Sequence, residues 1–224
     1  MFFETHHRMG QLLHNRLERL YPGRINRDAF VYGNVKPDLM RKGAKDRHML
    51  TDTAAFLHLT TGFLRTPSLE PDEDWVQLGM ICHHVCDAFC RYHQQVDLYR
   101  DYARHLEYEL GLNTFFNGWL QNGLAVNDKG LVVDTAHPAG FLMPEPSAPD
   151  TDPLWERLPG ITRLLVPSLR RYAAGSPSFF LDILFALENC CLLTDVILQN
   201  RFGMNLVQPN GPAGEGAADP AGDP

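Results

Sequence analysis

Nowhere in the 224 residues is there a run of eighteen or more apolar side chains, the length a helix needs to cross a bilayer. No transmembrane segment is therefore expected. The first residues, MFFETHHRMG, hold neither a basic n-region nor an apolar h-region, so no secretory signal is read and a cytoplasmic location is expected. Basic residues are outnumbered, 20 Lys and Arg against 27 Asp and Glu for a net charge of -7, and their clusters are short, around Arg41 to Arg47 and at Arg170-Arg171. A nucleic-acid footprint would need more. Cysteine is sparse: Cys82, Cys86 and Cys90 stand four apart and Cys190 and Cys191 are adjacent, a pattern of reduced thiols rather than of a disulfide framework. A His-Asp doublet is missing, as is a pair of Glu-x-x-His repeats, which argues against an HD-type phosphohydrolase and a di-iron carboxylate bundle. Histidine itself almost vanishes from the second half, where only His137 follows His105.

What is present is a balanced composition, 44% hydrophobic and 21% charged, long enough for one sizeable core. One all-α domain, a helical bundle over residues 1–205, is expected, with a loop-rich insertion at 121–159 and a disordered tail at 206–224 dominated by Gly, Pro, Ala and acids. Met9, Leu12, Leu13, Leu17 and Leu20 recur at helical period from Glu4 to Leu20, and Pro22-Gly23 ends that helix. Gly33, Asn34 and Pro37 predict irregular backbone that leaves Asp38 on a loop. Lys45 to Leu64 has helical period and carries His48. An acidic first turn, Asp72 to Asp74 after Pro71, opens a further helix. That helix is expected to break near His93 to Asp97, with a new one from about Leu98 to Leu120. Asn127 to Gly130 marks a hairpin or a plain loop within 121–135. Ile161 to Ala174 and Ser178 to Phe202 read as helices, the latter apolar on most faces and so central to the core.

The chemistry concentrates between Gly79 and Glu109. His83 and Asp87 are four apart, as are His105 and Glu109, and residues at i and i+4 stand one above the other on a helix. His93 lies between the pairs. Imidazole nitrogen and carboxylate oxygen are the donors that zinc and similar cations take. A single such pair is commonly a solvated helix contact of a few tenths of a kcal/mol. Two pairs with an extra histidine, interleaved with Ile81, Val85 and Phe89, fit a solvated face poorly. His6, Asp38 and His48 complete the candidates. His7 and His84 neighbour chosen residues but point about 100° away on a helix. The cysteines at 82, 86 and 90 could bind soft metals, although small core residues are the better reading. His14 and His58 fit packed or surface positions.

The series Thr5-His6, Gly33-Asn-Val-Lys-Pro-Asp38, His48, the stretch Leu78 to His93 and His105-Leu-Glu-Tyr-Glu109 resembles the bacterial zinc-dependent phospholipase C family, in the form of its small, signal-less members. The resemblance covers roughly residues 5 to 110. It implies that Asp38, His48, His83 and Asp87 hold one zinc, that His93, His105 and Glu109 hold a second, and that His6 serves a third together with a bridging Asp87. In secreted relatives the third metal is also held by a processed N-terminal Trp, where this chain has Met-Phe-Phe-Glu-Thr; that site is therefore expected to be only partial. The resemblance further implies Asp38 as the catalytic group that orients or deprotonates the attacking water. A phospholipid cleaved to diacylglycerol and a phosphorylated head group is the expected substrate. Nuclease-like phosphodiesterase activity and a non-catalytic metal-binding role are the alternatives. Phe2, Phe3, Phe30, Tyr32 and Tyr92 are candidates to cage a quaternary ammonium, and equally core residues.

Overall fold

The computed structural model describes residues 1–40, 60, 62–63, 71–94, 101–134, 160–176 and 178–204. His48, His58 and His137, most of 121–159 and the tail at 206–224 lie outside the described residues. Helix α1 spans Phe3–Leu20 and α2 spans Arg27–Leu39; α3 is Pro71–Ala88, followed by the single turn α4, Arg91–Gln94, and by α5, Tyr102–Gln121. A small antiparallel hairpin, β1 Leu124–Val126 with β2 Val132–Asp134, pairs Ala125 with Val133. A 3₁₀ segment at Gly160–Leu165 leads into α6, Val166–Ala174, and α7 covers Phe179–Phe202. The architecture is all-α with one minor hairpin, as the composition and periodicity indicate.

Helix α7 forms the wall against which α1, α3, α5 and α6 pack. Ile183, Phe185, Ala186, Leu187, Cys190, Ile197 and Leu198 are all fully buried, consistent with a helix that is apolar around most of its circumference. Its ends are well defined: the Ser178 hydroxyl accepts from the Leu181 N–H, and Gly203 closes the helix at φ 60° while the Met204 N–H reaches back to the Leu198 carbonyl. This is the glycine-ended pattern that satisfies the last carbonyls. The hairpin is fastened to α1 and α7 by Arg16, a buried guanidinium that donates to both oxygens of Asp195 at 2.8 and 2.6 Å and to the Asp128 carbonyl at 3.0 Å.

Three local expectations are corrected. Gly33 to Asp38 is the second half of α2, not a loop. Asn26 caps that helix by accepting from Asp28 and Ala29, and Asn34 bonds its own helix through the Phe30 carbonyl. Glycine and an internal Pro37 cost helix propensity, but Gly33 packs against α3 so closely that a Cβ there would meet the Val76 carbonyl oxygen at 2.1 Å. The close helix contact outweighs the local preference. The α3 helix breaks at Phe89-Cys90, earlier than expected, and α5 begins at Tyr102 with the Asp101 carboxylate capping the Arg104 N–H. The segment before α6 is 3₁₀ rather than α, because Pro167 has no N–H to bond four residues back.

Gly79 mirrors Gly33: its Cβ would lie 2.2 Å from the Phe30 carbonyl oxygen. Replacing Gly79 with Ala should destabilise the fold by about 2 kcal/mol or more through forced separation of α2 and α3. Urea unfolding of the variant against the parent checks this, and an unchanged midpoint would show that the helices give way freely.

Candidate metal centre

Four elements bring their chemistry to one buried point. His6 comes from α1, His83 and Asp87 from α3, His93 from α4, and His105 and Glu109 from α5; each is 8% exposed or less. On α3 the spacing of four sets His83 directly over Asp87, with Nε2 3.3 Å from Oδ2. His6 Nε2 approaches the other oxygen, Oδ1, at 3.2 Å, and its ring stacks on His83 at 3.8 Å between centroids. One donor atom from each of His6, His83 and Asp87 lies within 4.8 Å of the others. On the far side of Asp87, His93 Nδ1 stands 3.6 Å from Oδ2. His93 Nε2 is 3.0 Å from Glu109 Oε1 and 3.2 Å from His105 Nε2, and His105 is 2.8 Å from Glu109.

The sequence thus names six residues that the structure brings together. Asp38, near the end of α2, lines a cleft of about 330 Å³ that adjoins the cluster through His105 and Glu109. His7 and His84 are only partly buried, in keeping with the expectation that they face elsewhere. His14 is a packed residue whose Nε2 lies 3.2 Å from the Ile25 carbonyl. The proposed aromatic cage does not assemble: Phe30 is core, Tyr32 is exposed, Tyr92 stacks on His105, and only Phe2 and Phe3 reach the cleft.

The donor set fits a divalent cation on three counts. On a tetrahedral ion with bonds of about 2.0 to 2.1 Å, neighbouring donors sit roughly 3.3 Å apart, close to the separations around Asp87. His83 Nδ1 lies 2.8 Å from the Asn34 carbonyl oxygen, so this nitrogen carries the proton and donates. Its Nε2 lone pair is then turned toward an anionic carboxylate, an arrangement that a cation between them relieves, and the outer hydrogen bond fixes the tautomer as in metal-bound histidines. Finally, a cation already lies among these donors. The α-amino group of Met1 is 2.5 Å from Asp87 Oδ1, 3.0 Å from Glu109 Oε1 and 3.0 Å from His93 Nε2. The end of the chain that was expected to leave a metal site partial therefore reaches the cluster.

Charge interactions across the cluster are strong. Burial alone would lower the pKa of the Met1 amine, but Asp87 and Glu109 hold it well above its usual value. Burial would raise Asp87, yet His93, the amine, His83 and His6 hold it well below the carboxylate range. His6 rises to about 9, because attraction to Asp87 exceeds its desolvation. His93 is pushed down by burial and by the neighbouring amine.

Beneath the cluster is a group that sequence reading passed over. Asp182 of α7 is fully buried and accepts hydrogen bonds from the hydroxyls of Tyr172 at 2.6 Å and Tyr108 at 2.8 Å. Tyr108 precedes Glu109, so this carboxylate steadies the turn of α5 that presents Glu109 to the cluster. Cys90, read from sequence as a core thiol, also lies at the cluster, within 4.8 Å of donor atoms of His93 and Glu109. Its signal was its spacing of three from both Asp87 and His93.

An all-α protein with a buried histidine–carboxylate centre is the class that this fold and site define. Residues 5–137 match the family described as zinc dependent phospholipase C, and the chain belongs to that family. No curated protein and no solved structure gives a significant match. Among the described residues no helix is long and apolar enough to cross a membrane.

Burial pushes Asp182 up to about 6 from an ordinary value of 3.8, its tyrosine hydrogen bonds offsetting part of that rise. The folded state therefore holds this proton more tightly than the unfolded one. Stability from this group is full below pH 4 and is lost as pH rises through 6, by about 3 kcal/mol. Denaturation of Asp182→Asn and the parent between pH 4 and 7 should diverge by that slope; parallel curves would contradict it.

Proposed function

We propose that the protein is a zinc-dependent phosphodiesterase that hydrolyses a phospholipid to diacylglycerol and a phosphorylated head group. The observation that carries this reading is the cleft beside the donor cluster. Its polar lining is Asp38, His105 and Glu109, while Met1, Phe2, Phe3, Leu39, Tyr102 and Leu106 form the remainder. Phe3, Leu39, Tyr102 and Leu106 are exposed. A phosphate ester with an apolar body matches that polarity, and among the described residues the lining contains no lysine or arginine to favour a polyanionic strand.

On this reading His83, Asp87 and His6 hold one zinc, with Asp38 and His48 as further ligands by family resemblance. His93, His105 and Glu109 hold another. Bound zinc supplies Lewis-acid stabilisation of the phosphoryl oxygens and a water of lowered pKa. The chain's own residues do the remaining work. Asp38, at the cleft wall, orients the attacking water and takes its proton as the water oxygen bonds to phosphorus and the phosphorus–oxygen bond to glycerol breaks, the departing oxygen taking up a proton from solvent to leave as diacylglycerol. The apolar side chains of the cleft hold the acyl-bearing part and exclude competing water. Asn34 keeps His83 in the tautomer that offers Nε2.

Purified protein should contain about two to three zinc ions per chain by elemental analysis. A chelator should abolish turnover of p-nitrophenylphosphorylcholine, and added zinc should restore it. Asp38→Asn should lower turnover by about 10² to 10⁴-fold. Protein purified without metal that neither binds zinc nor turns over the ester would refute this function; zinc-loaded protein inactive on phosphodiesters would point to a metal-binding role without catalysis.

A further inference from the structure

Cys90 differs from the other four cysteines in its surroundings. Cys86 and Cys190 face each other at 3.6 Å between sulfurs, Cys190 also donates to the Cys82 carbonyl, and Cys191 packs against Gly130 of the hairpin turn. Cys82, Cys86 and Cys190 thus meet where α3 packs on α7, and Cys86 also hydrogen-bonds His6. Cys90 instead stands in the break between α3 and α4. The Cys90 N–H donates to the Asp87 carbonyl at 3.0 Å and the His93 N–H to the Cys90 carbonyl at 2.9 Å. Bonds between residues three apart wind the chain as a 3₁₀ turn, in which side chains at i and i+3 eclipse. Asp87, Cys90 and His93 are thus stacked toward one side, and the Cys90 sulfur comes within 4.8 Å of donor atoms of His93 and Glu109, all buried.

We infer that the Cys90 thiolate is a ligand of the second zinc, joining His93 and Glu109. The inference rests on the zinc reading above and goes beyond it in donor chemistry. A thiol ligand releases its proton when the metal binds. A sulfur donor also favours zinc, cobalt or cadmium over magnesium and manganese.

Zinc-edge X-ray absorption on the intact zinc-loaded protein tests this directly. The expected result is a sulfur shell at about 2.3 Å, roughly one sulfur for every two zinc ions. The cobalt-substituted protein should show a thiolate-to-cobalt charge-transfer band. Both signals should be lost in Cys90→Ser and kept in Cys86→Ser. Zinc bound through nitrogen and oxygen alone overturns the Cys90 assignment and leaves the zinc reading intact. A sulfur shell that survives Cys90→Ser and disappears in Cys86→Ser also overturns it. Protein that binds no zinc overturns both readings together. Because the first measurement uses the unaltered chain, a Cys90→Ser protein that fails to fold does not remove the test.

Discussion

Asp87 is the interaction on which the structure turns. A carboxylate taken fully out of water is expensive unless it is paired and hydrogen-bonded. Here His6, His83, His93 and the Met1 amine surround it, drawn from α1, α3, α4 and the chain's first residue. Satisfying one anion therefore requires these pieces to arrive together. Glu109 repeats the arrangement with His93 and His105. The bundle can be understood as packing that delivers cations and ligands to two carboxylates, with α7 supplying the apolar wall behind them.

Much of this was legible in the sequence because helices translate spacing into direction. The i, i+4 pairs His83–Asp87 and His105–Glu109 both meet, since each lies within one helix. The acidic first turn of α3 and the apolar character of α7 also carried through. What was not legible depended on tertiary packing. Gly33 and Pro37 read as breakers because propensity is local, whereas the close fit of α2 on α3 is not. Cys90 is core, as its residue type indicates, but its approach to His93 and Glu109 depends on the break between α3 and α4. The convergence of His6 on Asp87 followed from no spacing within a helix; only the ordered resemblance to a family supplied it.

The family match ends at residue 137, yet part of what steadies the centre lies beyond it. Asp182 holds Tyr108 and Tyr172 through short hydrogen bonds, and its Oδ2 lies 3.5 Å from the Arg91 N–H at the start of α4. A buried carboxylate is costly in a core, and this one sits where α4, α5 and α6 meet α7. It ties the segments that carry His93 and Glu109 together, although its charge opposes folding above its own pKa. Tyr172 packs edge to face on Phe185 and on Phe89 at 5.5 and 5.6 Å, and Phe89 stacks on Phe185 at 5.8 Å.

The paired glycines of α2 and α3 act as teeth in a rack. With Gly33 against the Val76 carbonyl and Gly79 against that of Phe30, sliding either helix by one residue, about 1.5 Å, drives a side-chain-bearing position into backbone. The offset between Asp38 and His83 is therefore set by a gear of bare backbone and is indifferent to what the site holds. The single turn that carries His93 and the first turn of α1, which carries His6, contain no glycine and so no contact of this kind.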